Sequence, residues 1–377
     1  MQRIPAIIVF LLFSIAISAQ TTKLKSKKYP SLMWEITGKG VSKPSYLFGT
    51  MHVSNKMVFH LSDSFYLAIK NADVVAVETN PGYYSSYRQR GNFSEPRDFL
   101  SINTLKAFPY EKLLGPALSS NPSMINSFLY RNNTNGGADF EEDTYLDLYI
   151  YQVGKKWGKK LCGVEDFDES MTLMREAYSD AANDKKAERR NYDVDAEFSY
   201  AKMEEAYRTG NLDLLDTINK ANSRSEAFDE KFLYRRNEIQ ANSIDSIIKS
   251  KSSLFVGVGA AHLPGDRGVI EMLRSKGFKL RPIKMTERDS RHKDEIEALR
   301  VPVTFNTQVA DDGMFTVSAP GKLYSFSQGF GLMDQQQYAD MSNGSYYMVA
   351  RITTNAGVWG HNAATVQKKI DSILYEN

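Results

Sequence analysis

The sequence predicts an α/β fold: a mostly parallel, partly mixed central sheet covered by helices, followed by a small C-terminal α+β module. Three observations carry this. Short apolar runs such as Val74-Val75-Ala76-Val77 and Leu254-Phe255-Val256-Gly257-Val258 lack the polar alternation of a half-exposed strand, so both of their faces should be buried. Stretches of helical period separate them, which points to crossover connections. From residue 300 onward the texture changes to alternating strand-like pieces.

The N-terminus reads as a secretory signal peptide over residues 1–19. Arg3 is its one positive charge, Ile4 to Ala19 is apolar, and Ile17-Ser18-Ala19 offers a cleavage site before Gln20. The run is short and interrupted for a membrane span, and an uncleaved membrane anchor is the alternative reading. Strands are expected at 32–37 and 45–49, joined by a Gly/Lys/Pro turn, and a helix at 62–71. The run Asp73 to Glu78 reads as a short buried strand ending in a carboxylate. Residues 80–98 are turn-rich. From 101 to 157 the pattern is helical, broken by Gly115-Pro116 and the Asn/Gly cluster 132–137. Its last piece carries Leu146, Tyr149, Ile150 and Val153 at helical spacing. Lys160 to Glu165 repeats the pattern of a short strand with a terminal carboxylate.

Residues 167–250 read as charged amphipathic helices. A strand follows at 253–258, then a helix near 266–276 and a strand at 279–283. The charged run 284–298 reads as a linker, placed at 291–299 between a main domain (20–290) and the module 300–377. The last helix, 362–375, reaches the chain end without a cap, which suggests that the module is cut short.

Composition narrows the function classes. The 377 residues carry 47 basic and 45 acidic side chains, a balance that argues against nucleic-acid binding by bulk charge. Cys162 is the one cysteine, so no internal disulfide forms and the core must hold the fold. Its strand setting suits a small core residue rather than a nucleophile.

One four-residue pattern occurs twice in the same setting. Gly49-Thr50-Met51-His52 follows Tyr46-Leu47-Phe48, and Gly259-Ala260-Ala261-His262 follows Leu254 to Val258. The chain has five histidines and 24 glycines, so two such pairings arise by chance at roughly the 4% level. In open parallel sheets ligands bind beyond the carboxyl ends of the strands. His52, Glu78, Glu165 and His262 each follow a predicted strand and would converge on that edge. Gly49 and Gly259 would allow a sharp turn and close backbone approach. Two imidazoles and one or two carboxylates suit a divalent metal such as Zn²⁺, Mn²⁺ or Co²⁺. Such an ion activates a water at neutral pH, and a spare carboxylate can move its proton.

Each residue also has a plain structural reading. The histidines could cap helices, and Glu78 could cap a helix or pair with a lysine. Glu165 could belong to a solvated turn. Asp147 reads as an exposed helix-face residue, and Arg236-Asn237 as a polar helix face. His60, His292 and His361 lie outside any constellation. The sequence holds no Gly-x-Ser-x-Gly elbow, no phosphate-binding Gly-x-x-x-x-Gly-Lys-Ser/Thr loop and no His-Glu-x-x-His helix.

With these residues in place, the chain resembles the TraB/GumN family, which includes the Tiki-type metalloproteases. The resemblance rests on Trp34-Glu35-Ile36, Tyr46 to His52, Val75 to Thr79, Gly163-Val164-Glu165, Arg236-Asn237 and Phe255 to Gly265, in family order over about residues 30–285. It implies a metal-dependent hydrolase, with a peptidase as the first expectation; export is the reading of the N-terminal segment. His52 and His262 match the motif histidines and Glu78 the acidic residue. Arg236 matches a recurrent arginine that could hold a developing oxyanion. Glu78-Thr79-Asn80 departs from the pattern, since many relatives carry a second acid or an apolar residue soon after the glutamate.

The expectation is therefore a periplasmic or extracellular hydrolase. Its metal would be held by His52, His262 and Glu78, with Glu78, Arg236 and Glu165 in catalysis. Its partner would be a peptide or protein substrate, with no nucleic acid and no stable membrane span after signal cleavage. The alternative is a non-catalytic secreted binding or regulatory protein that keeps the fold.

Overall fold

The computed structural model describes residues 27–38, 40–51, 61–83, 145–184, 200–285, 291–309, 313, 315–325, 333–343, 345–352 and 360–375. The proposed signal segment and His52 lie outside them. Strands β1 (Met33–Thr37), β2 (Ser45–Thr50), β3 (Val74–Val77), β4 (Lys160–Gly163), β5 (Leu254–Gly259) and β6 (Lys279–Ile283) form one sheet in the order β4-β3-β5-β2-β1-β6. The four strands β4, β3, β5 and β2 pair in parallel. β1 is antiparallel to both β2 and β6, so β1 alone runs against the rest. The sheet is mostly parallel and mixed at one edge, as the apolar runs predict.

The strand sequences explain the burial. All four residues of β3 are buried, and Leu254 to Val258 of β5 are buried without alternation. Side chains on both faces of a central strand can be buried only if both faces are covered. On one face, Phe65 of α1 (Asp63–Asn71) meets Phe255 edge-on at 5.2 Å and Phe48 at 4.9 Å. Ile150 of α2 (Leu146–Lys156) fills the space over Gly257, two residues on from Phe255 and thus on the same face. Helix α2 buries Leu146, Ile150 and Val153, the spacing seen in the sequence.

The charged segment forms α3 (Phe167–Asn183), α4 (Tyr200–Arg208), α5 (Leu212–Ala221) and α6 (Arg235–Lys249). Asp166 caps α3 by accepting from the Glu169 N–H at 3.0 Å, and Asn211 caps α5 through the Leu214 N–H at 3.3 Å. A single π-helical turn, Glu230–Tyr234, leads into α6. Helix α7 (Val269–Ser275) follows β5 and packs against α6 and β6.

The charged run that reads as a linker contains helix α8 (Arg291–Ala298). Its one fully buried residue, Ile296, joins the core, and the Lys156 Nζ donates to the Ile296 carbonyl at 3.1 Å. A single apolar residue among charges hides this contact from a composition reading. Beyond it, β7 (Asn306–Val309) and β8 (Thr316–Ala319) form a hairpin. β9 (Tyr324–Ser325), β10 (Met333–Asp340) and β11 (Ser345–Ile352) form a three-stranded antiparallel sheet. Helix α9 (Ala363–Tyr375) follows. Among the described residues no helix is long and apolar enough to cross a membrane.

Candidate metal centre at the sheet edge

The parallel register delivers the acidic residues to one place. Beyond the paired residues Val77 and Gly163, the Glu165 N–H donates to the Glu78 carbonyl at 2.8 Å, so the two glutamates leave neighbouring strands side by side. Gly163 makes this crossing possible, because a Cβ there would lie 2.8 Å from the Asn80 nitrogen. β5 pairs with β2 so that Thr50 lies beside Gly259. Both Gly-x-x-His motifs therefore start at the same edge. Gly49 packs on the second motif, where an added Cβ would lie 3.2 Å from the Ala260 Cα.

Gly259 has an ordinary φ of −50°, so it is not chosen for conformational freedom. It is chosen for space. Its N–H donates to Glu78 Oε1 at 2.6 Å, and a Cβ would stand 2.9 Å from that oxygen and 3.3 Å from the His262 ring. His262, on the turn Ala260–His262, is 4% exposed and its Nε2 faces Glu78 Oε1 at 3.6 Å.

Helix α6 supplies the rest from one face. Arg236 Nη2 donates to Glu78 Oε2 at 2.8 Å and its Nε to Glu165 Oε2 at 2.9 Å. Its Nη1 reaches the Phe232 carbonyl at 3.4 Å. Gln240 Nε2 donates to Glu165 Oε1 at 2.5 Å, so both oxygens of Glu165 are engaged by protein. The Gln240 Oε1 is buried with no hydrogen-bond partner among the described residues.

Asn237 sets the state of His262. Its Nδ2 donates to the Arg267 carbonyl at 2.7 Å, which leaves Oδ1 facing His262 Nδ1 at 2.6 Å. An amide oxygen only accepts, so His262 Nδ1 carries a proton, and Nε2 is the ring nitrogen turned toward Glu78 Oε1. Metal-binding histidines are oriented in this way by the partner of their other nitrogen.

The cluster concentrates negative charge. Glu78 and Glu165 against Arg236 leave a formal charge of −1 when both carboxyls are ionised and His262 is neutral. Burial pushes the Glu165 carboxyl above the ordinary glutamate range; Arg236 opposes this and Glu78 adds to it. Burial alone would lower the Arg236 guanidinium, but Glu78 and Glu165 outweigh it and raise it. The ion pair thus favours charge on the arginine, while desolvation and a second carboxylate disfavour it on Glu165.

The donor set fits a cation. Glu78, Glu165 and His262 each offer a ligand atom, and these atoms lie within 4.8 Å of one another. Imidazole nitrogen with carboxylate oxygen suits Zn²⁺, Mn²⁺ or Co²⁺. Glu78 and Glu165 each accept two hydrogen bonds from the protein, and of the two it is Glu78, through Oε1, that His262 Nε2 faces at 3.6 Å.

The structure brings Glu78, Glu165, Arg236 and His262 together, with Gly259 against them and Gly49 on the neighbouring strand. His52 and His60 lie outside the described residues. Arg236 and Asn237 are buried, 5% and 1% exposed, rather than a solvated helix face. Asp147 is half-buried and accepts from the Thr50 hydroxyl at 2.7 Å, rather than exposed. His292 pairs with Glu295 at 3.1 Å, away from the cluster. Burial raises the Cys162 thiol, in keeping with an inert half-buried residue.

Gln240 is the functional candidate that sequence reasoning passed over, and Asn237 entered it only beside Arg236, without a role of its own. A signal existed: positions 236, 237 and 240 share the phase of the apolar stripe Ala241, Ile244 and Ile248. Polar residues in phase with a buried stripe mark a buried network.

A family model described as the TraB/PrgY/gumN family matches residues 32–282. No curated protein and no solved structure matches the chain.

Proposed function

We propose that this chain, which belongs to the TraB/PrgY/gumN family, is an exported metal-dependent hydrolase acting on peptides or proteins. The observation that carries the reading is the buried group of Glu78, Glu165 and His262, whose ligand atoms lie within 4.8 Å of one another, with His262 Nε2 turned toward Glu78 Oε1 by the Asn237 contact to Nδ1. A divalent ion, Zn²⁺, Mn²⁺ or Co²⁺, would be held by His262 and Glu78, with His52 as the further imidazole. Bound there, it would act as a Lewis acid and an activator of water.

The protein's own groups have separable tasks. Arg236 ties Glu78 and Glu165 together and fixes the direction of the Glu78 carboxylate. Its remaining Nη hydrogens can meet negative charge developing on a substrate oxygen. Glu165 is the group suited to hold a proton, because burial favours its neutral form. Half a turn of the Gln240 amide would present the unpartnered Oε1 to that proton. The pair can then exist as carboxylate with amide N–H, or as carboxylic acid with amide carbonyl.

In this reading residues 1–19 direct export, 20–290 form the hydrolase domain and 300–377 present substrate or target the protein. A non-catalytic binding role is the second reading, favoured by one observation: Glu165 is satisfied by Arg236 and Gln240 without a metal. The test is a peptide-library digest by the chain from Gln20 onward, with Zn²⁺, Mn²⁺ or Co²⁺ added after chelation. Cleavage that needs the metal and disappears in Glu78→Gln is expected. A metal-loaded protein that cleaves nothing would favour the binding role.

A further inference from the structure

The hydrogen bonds that set His262 do not end at Asn237. They continue to Arg267, a residue on the turn between the second motif and α7. The Arg267 carbonyl accepts from Asn237 Nδ2 at 2.7 Å. Its side chain runs the other way, to the π-helical turn. Nη1 and Nη2 donate to the two oxygens of Glu230 at 2.6 and 2.8 Å, a fork on a carboxylate. The guanidinium also stacks on the Tyr234 ring, 4.2 Å from its centroid, and has Glu238 at 3.8 Å.

Two features suggest a role beyond general stability. The pair is exposed, Arg267 at 44% and Glu230 at 53% of the side chain, and exposed ion pairs contribute little to stability. Its partners are nevertheless placed on the segment that delivers Arg236, Asn237 and Gln240. Glu230 and Tyr234 bound the π-turn directly before α6. A π-turn in this position is a common mark of a functional site. One side chain thus ties the turn after His262 to the helix that orients His262.

We propose that Arg267 is a positioning residue for His262: its fork to Glu230 and stack on Tyr234 hold the Arg267 carbonyl on Asn237, which keeps a proton on His262 Nδ1 and Nε2 turned toward Glu78. Without the clamp, the carbonyl withdraws from Asn237 and the amide can turn. A turned amide offers Nδ2–H to His262 Nδ1 and shifts the ring proton to Nε2. That tautomer has no lone pair facing Glu78. The consequence for metal rests on the metal-centre reading; the consequence for the tautomer does not.

The test uses the chain from Gln20 onward with ¹⁵N-labelled histidine. Imidazole spectra of the metal-free protein report the tautomer, with the His262 signals assigned by their loss in His262→Gln. Wild type is expected in the Nδ1–H form. Arg267→Ala and Glu230→Ala should each show a substantial Nε2–H population, with Arg267→Lys between them and wild type. Zn²⁺ affinity should fall about tenfold in the two alanine variants, the low end for outer partners of a metal ligand. Glu230→Ala leaves the 263–268 turn untouched, so it decides the matter if Arg267→Ala fails to fold. An unchanged tautomer in every folded variant overturns the clamp, whatever the metal does. A shifted tautomer in a protein that binds no metal supports the clamp and contradicts the metal reading.

Discussion

The two ends of strand β3 carry a carboxylate each, and they are opposite kinds of place. Asp73, just before Val74, accepts from the Ser253 N–H at 2.9 Å and the Ser253 hydroxyl at 2.8 Å. These bonds hold its carboxyl below the ordinary aspartate range, and the side chain is 46% exposed. Glu78, just after Val77, is buried beside a second carboxylate whose ionised form is disfavoured. The same strand pair, β3 with β5, is locked at one end by an easily satisfied ion and crowded at the other by charges that burial penalises. Proteins place such crowding where chemistry is done.

The comparison is broken most severely at Arg236. Arg236→Ala would leave two buried carboxylates facing each other, and should cost about 3–5 kcal/mol, as loss of one partner from a buried ion pair does. Urea unfolding of the metal-free protein measures it; a loss below about 1 kcal/mol would mean that water reaches the cluster freely. Gly259→Ala comes next. Its Cβ would press on Glu78 Oε1 and the His262 ring, with an expected cost of about 1–3 kcal/mol and weakened metal binding. Stability and metal affinity unaffected together would show that the strand end can move aside.

At the other end, Asp73→Asn should cost about 1 kcal/mol, small because the group is half exposed, with metal affinity unchanged. The pH signs differ between the ends. Asp73 has a lowered folded pKa, so its contribution is present above the unfolded value and is lost as pH falls through the folded one. Glu165 has a raised folded pKa, so its contribution is present in acid and is lost as pH rises through that raised value. Glu165→Gln removes the second dependence. Its stability relative to wild type should therefore improve as pH rises through the raised Glu165 value. A relative stability that declines over that rise would contradict the crowded-site description.

Much of this site was legible in the chain, for a definite reason. A parallel strand buried on both faces is a short apolar word, and a polar residue directly after it must leave the sheet at the carboxyl edge. Val74–Val77 followed by Glu78, and Leu254–Gly259 leading to His262, could be read that way from spacing alone. Asn237 and Gln240 could not be placed with the same ease, because a charged helix looks solvated until its buried face is known. Asp147 was misread for that reason: its helix position resembles an exposed one, but the Thr50 hydroxyl takes it inward. Ile296 shows the same effect in an apolar residue, since a helix among charges is revealed by its packing on the core rather than by composition.

The most direct measurement is metal binding by the chain from Gln20 onward, wild type beside a His262→Ala variant shown to be folded. Calorimetric titration with Zn²⁺, Mn²⁺ and Co²⁺ after chelation gives stoichiometry and affinity together. Expected is close to one ion per wild-type chain, with affinity at least about 100-fold weaker in His262→Ala, beyond the usual cost of losing an outer partner. A wild type that takes up none of the three ions, or a variant that binds them as tightly, would contradict a metal centre at His262 and Glu78.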